Sequence, residues 1–79
     1  MIHTHIKRLD TRRCREANLS LPEARLLEAV LSRPERERLR RDFGDKLILR
    51  LEQRGYILAE NGRYILSEDG FRALERCFA

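Results

Sequence analysis

Only two of the 79 residues are cysteine, Cys14 and Cys77. They stand too far apart to form the close-spaced pairs of a zinc ligand set or a dithiol redox motif. Long apolar runs are also missing. None follows Met1, and none approaches the ~20 residues that would span a bilayer. A cytoplasmic location with no membrane partner is the expectation. Nor does the chain carry a Ser-His-acid set, a glycine-rich phosphate loop or a spaced pair of catalytic carboxylates. An enzyme is therefore not expected, and no cofactor is implied. His3 and His5 would share one face of an extended segment, but two ligands without a third make no metal site. Internal repeats and low-complexity segments are absent too.

What the chain does have is charge. Hydrophobic residues make up 42% and charged residues 38%, which describes a small core inside a charged shell. A domain of this size buries roughly 60% of the surface its unfolded chain exposes. One modest domain is expected, one that could gain from a partner. The net charge of +4 is unevenly distributed: residues 1–16 and 33–54 each carry a surplus of three positive charges, whereas 17–32 and 55–79 each carry one net negative charge. That asymmetry favours a polyanionic partner.

The periodicity divides the chain into elements. In "MIHTHIKRLD", Ile2, Thr4 and Ile6 alternate with His3, His5 and Lys7, the pattern of a strand or extended arm. "TRRCREAN" has no clear period and reads as an irregular linker or a short helical turn. In "NLSLPEARLLEAVLS", Ser20 and Glu23 have capping-box spacing, and Leu19 with Ala24 that of a hydrophobic staple. A first helix follows, with Ala24, Leu27, Val30 and Leu31 as its apolar stripe. Ser32 and Glu35 repeat the capping-box spacing and Pro34 suits a first turn, so a second helix is predicted there. Leu39 and Phe43 would face its core, and Gly44 would stop it. A third helix begins at Asp45, turns Leu47, Ile48 and Leu51 inward, and ends at Gly55. Asn61-Gly62 between two short apolar runs predicts a type I′ hairpin, because both turn positions need positive φ. Ser67 is the predicted N-cap of a last helix, with Glu68 and Asp69 in its first turn and Phe71, Leu74 and Phe78 along one side. Cys77 reads as a small core residue.

The segments "LILRLEQRGYI" and "GRYILSEDGFRAL" resemble the winged helix-turn-helix domain of bacterial transcription regulators. Shared with that family are a Leu-Glu-x-x-Gly end to the recognition helix, a hairpin wing, and a Leu-Ser-Glu-x-Gly entry to the next helix. The resemblance covers about Leu47 to Leu74 and is looser before it. It implies an α+β winged helix with a three-helix core, a two-stranded wing hairpin and a C-terminal helix; the first eighteen residues lie outside the resemblance, and the alternation near the start would add an N-terminal strand if it is not an extended arm. Residues 19–79 would form this domain and residues 1–18 a basic N-terminal arm or strand. The resemblance further implies a small DNA-binding transcription regulator that contacts duplex DNA through its second and third helices. Position by position, Lys46, Arg50 and Arg54 fall on the nucleic-acid side, and Arg63 on the wing; the basic Arg40-Arg41 end of the second helix would add to that surface. Lys7, Arg8, Arg12 and Arg13 could add arm contacts to phosphates; the alternative for this segment is an ordinary terminus or an extra strand on the wing sheet. A rival reading is a winged-helix protein-interaction module, an adaptor or inhibitor of a larger complex. Its motive is Leu49, an apolar residue on the outward side of the third helix. A homodimer through the terminal helix remains open.

Overall fold

The structure, a computed structural model, describes residues 8–79. The alternating segment from Ile2 to Lys7, with His3 and His5, lies outside the described residues. Among those described there are five helices, α1 (Thr11–Glu16), α2 (Leu21–Ser32), α3 (Arg36–Phe43), α4 (Asp45–Gln53) and α5 (Glu68–Arg76), and one hairpin, β1 (Ile57–Glu60) and β2 (Arg63–Leu66). The result is a small α+β fold whose helices and antiparallel hairpin are compatible with a winged-helix layout.

α2 is the hub, packing against α1, α3, α4, α5 and β2. Its start is the predicted capping box: Ser20 Oγ accepts from Glu23 N at 3.2 Å and Glu23 Oε1 accepts from Ser20 N at 2.8 Å. Ala24, Leu27 and Val30 are buried as the stripe requires, but Leu31 is 56% exposed and Leu26 takes the core position. The helix has neighbours on several sides, so its buried arc is wider than one stripe and displaced from Leu31.

Ser32 and Glu35 do not cap a helix together. Ser32 ends α2 and donates its hydroxyl to Ala29 O, while α3 begins only at Arg36, with Glu35 as N-cap and no side-chain bond. The intervening backbone is used by the wing. Tyr64 N donates to Pro34 O at 2.8 Å, Arg36 N donates to Gly62 O at 3.0 Å, and Glu35 bridges Arg63 in antiparallel fashion. Pro34 fits because a partial edge strand needs only its carbonyl. Tertiary pairing overrides the local capping signal.

A single residue, Gly44, joins α3 to α4, with φ at 87°. In α4, Ile48 and Leu51 are buried and Leu47 is half-buried. The hairpin closes as its turn residues demand, with Glu60 opposite Arg63 and positive φ at both Asn61 and Gly62. Its inner face carries Ile57 and Tyr64; its outer face carries the cross-strand pair Leu58 and Ile65, which are 49% and 40% exposed.

At the entry to α5, Ser67 Oγ accepts from Gly70 N and donates to Gly55 O, while Ser67 N donates to Tyr56 O at 3.0 Å. Gly70 is needed here because a Cβ would overlap Tyr56 O and stand 2.9 Å from Tyr56 C. Of the predicted α5 stripe, Leu74 is buried, Phe78 is half-buried and Phe71 is 46% exposed. Ala73 and Cys77 complete the buried side.

Residues 8–18 join this core. Asp10 caps α1 by accepting from Arg12 N at 2.9 Å, and Cys14 and Ala17 are buried. Leu9 pairs with Phe78 as an isolated bridge, flanked by Asp10 N to Cys77 O and Ala79 N to Arg8 O.

Candidate nucleic-acid interface

Burial on one side of α4 defines what the other side offers. Asp45, Lys46, Leu49, Arg50 and Gln53 are all exposed and, at 100° per residue, occupy one arc opposite Ile48 and Leu51. Lys46 and Arg50 are one turn apart on that arc, as are Leu49 and Gln53. Among the described residues neither Lys46 nor Arg50 forms an ion pair. Leu49, 54% exposed, lies between them in sequence and beside them in space.

The other predicted cations are placed differently. Arg40 and Asp45 form a two-pronged pair across the α3–α4 junction, with Nε to Oδ1 at 2.7 Å and Nη2 to Oδ2 at 3.2 Å. The hydrogen bonds from Arg40, and then its charge, hold the Asp45 carboxyl below its ordinary value and raise the Arg40 guanidinium. Both side chains are well exposed, so the pair adds little stability. Arg41 is exposed beside them, and with Glu37 they line one shallow depression. Arg63 is exposed on the outer face of the wing, with Glu60 opposite it in one direction and Glu35 in the other. Two acids against one cation leave this end of the hairpin with no positive surplus.

Arg54 faces away from the arc. Its Nη1 donates to Asn18 O at 2.8 Å and lies 3.5 Å from Glu23 Oε2; its Nη2 donates to Tyr56 OH at 3.3 Å, and the guanidinium stacks 4.7 Å from the Tyr56 ring centroid. These contacts tie the end of α4 to the start of α2. Of the arm residues, Lys7 lies outside the described residues, Arg8 is exposed beside Ala79, and Arg12 and Arg13 are exposed on α1.

Periodicity also pointed to, but did not single out, three further groups. Gln53 sits one turn beyond Leu49 on the same arc and is fully detectable from the helical repeat. Arg36 and Arg38 are exposed on α3, and Arg36 stacks 5.4 Å from the Tyr64 ring centroid, joining α3 to the wing.

Among the described residues no group of His, Cys, Asp and Glu is placed to hold a metal ion, and no helix is long and apolar enough to cross a membrane. The openings on the surface are shallow. One of them, about 670 Å³, lies between α2, Phe43, Leu74 and Phe78, away from the α4 arc.

Compared with family models, curated proteins and solved structures, the chain has no match. Its class rests on the element order and the hairpin: a small α+β domain compatible with a winged helix.

Proposed function

We propose that this chain is a winged-helix DNA-binding protein, a transcription regulator that lays the outward arc of α4 along the major groove of duplex DNA. The observation that carries the reading is the arc itself, where Lys46 and Arg50 stand one turn apart, exposed and without acidic partners among the described residues. Free cations at that spacing suit phosphates and guanine edges. Arg41 on α3 extends the positive surface, Arg63 adds little because Glu60 and Glu35 stand opposite it, Arg40 contributes less because Asp45 holds it, and Arg54 serves the fold.

Anisotropy titration of a mixed-sequence 20-base-pair duplex over a range of salt concentrations tests this. With about four phosphates neutralised, log affinity should fall with log salt at a slope of about −4. The double substitution Lys46→Ala and Arg50→Ala should weaken binding and flatten the slope by about two units. Binding and slope unchanged by that pair would reject the assignment of the surface.

A second reading, a protein-interaction module, draws on the exposed Leu58 and Ile65 pair on the outer face of the wing. No binding to duplex at low salt, with a protein partner lost on Leu58→Asp in the folded chain, would favour it.

A further inference from the structure

On the α4 arc the two exposed residues that carry no charge are Leu49 and Gln53, spaced one turn apart, with Lys46 and Arg50 along one side of them and Asp45 bordering Leu49 on the other. A half-exposed leucine beside cations is costly on a face meant only for phosphates, since burying it against sugar-phosphate oxygens gains nothing. The major groove offers one apolar group, the thymine 5-methyl, and the paired adenine presents N6 and N7 beside it. A glutamine amide matches those two adenine positions, donating to N7 and accepting from N6. Four residues of helix rise about 6 Å, which is one to two base-pair steps of duplex, so both side chains can address the same or neighbouring pairs.

We infer that Leu49 and Gln53 form an A·T-reading pair, Leu49 packing on the thymine methyl and Gln53 hydrogen-bonding the adenine edge, while Lys46 and Arg50 supply the sequence-independent grip. The inference rests on the duplex-binding reading above and adds a base preference to it. The partner chemistry follows from the adjoining cations, which favour a polyanion over an apolar protein groove.

The test compares thymine with uracil, which differ by that methyl alone. Duplexes retained by the protein from a random 20-base-pair pool are re-synthesised with dUTP in place of dTTP, and both forms are titrated by anisotropy. The wild-type chain should bind the uracil form about fourfold more weakly for each methyl contacted. Leu49→Ala, whose fold is checked by circular dichroism, should bind both forms equally, at the level of wild type on uracil. Gln53→Ala should lose affinity for both forms yet keep the gap between them. Equal wild-type affinity for the two forms, or a gap that survives Leu49→Ala, overturns the inference while leaving duplex binding in place. No binding to either form removes the duplex reading and this inference with it.

Discussion

Replacing Gly70 with alanine should destabilise the protein, although alanine is the better helix former. Gly70 lies in the first turn of α5, and by propensity alone the substitution would gain up to about 1 kcal/mol. Here the new methyl would overlap the carbonyl oxygen of Tyr56, with that residue's C and Cα at 2.9 and 3.1 Å. The obstacle is backbone, so no rotamer change relieves it, and the penalty belongs at the upper end of the overpacking range, about 3 kcal/mol. Tyr56 O also accepts from Ser67 N. Pushing the strand entry away from α5 stretches that bond, at a further loss of about 1 kcal/mol. The net expectation is a loss of about 3 kcal/mol, or a fall in Tm of roughly 12–24 °C for a domain of this size. Urea unfolding followed by circular dichroism at 222 nm measures the first figure and a thermal scan the second. If Gly70→Ala is as stable as wild type or more so, the close approach of α5 to Tyr56 is not present in solution.

The buried carboxylate of Glu23 carries two duties, closing the capping box and facing Arg54. Glu23→Ala should therefore cost about 2 kcal/mol in chemical denaturation, whereas Glu23→Gln, which keeps an oxygen for Ser20 N, should cost about half of that; equal losses would assign the whole effect to the charge. Burial, reinforced by contact with the Cys14 thiol, pushes the Cys77 thiol up to about 12 from an ordinary 9.0. Above pH 9 the unfolded chain sheds this proton and the folded chain keeps it. The thiol's contribution is thus complete below pH 9 and declines above it by up to about 1.4 kcal/mol per pH unit. Unfolding curves between pH 8 and pH 10.5 should show this decline in wild type and lack it in Cys77→Ala; a flat difference between the two would contradict the burial of the thiol.

Elements encoded by neighbouring residues were legible in the sequence. Asn61-Gly62 specifies its turn, Ser20 with Glu23 starts α2, and Ser67 starts α5, because each signal acts over four residues or fewer. Features decided by distant partners were not. Pro34 and Glu35 suggested a helix start until pairing with Gly62 and Tyr64 claimed their backbone. Cys14 sits in a stretch with no clear period, readable as a linker or as a short helical turn, yet it is buried on a helix in the same core as Cys77 at the far end of the chain. The candidate site divides in the same way. Helical spacing alone puts Lys46 and Arg50 outward, but the inward role of Arg54 depends on Asn18, 36 positions away, and the partner of Arg40 depends on how Gly44 turns the chain.

The backbone bonds from Arg36 to Gly62 and from Tyr64 to Pro34 have a mechanical consequence. They fasten the hairpin's turn to the first residue of α3, and α3 passes to α4 through one residue. Turn, α3 and α4 should then move as one lever, so a load applied at Asn61 is felt at Lys46. A surface held this way is ordered beforehand, so a ligand docking there would cost it little conformational freedom. The same fastening limits how the turn can change in length: residues inserted between Asn61 and Gly62 would carry the Gly62 carbonyl away from Arg36 and detach the lever at its outer end.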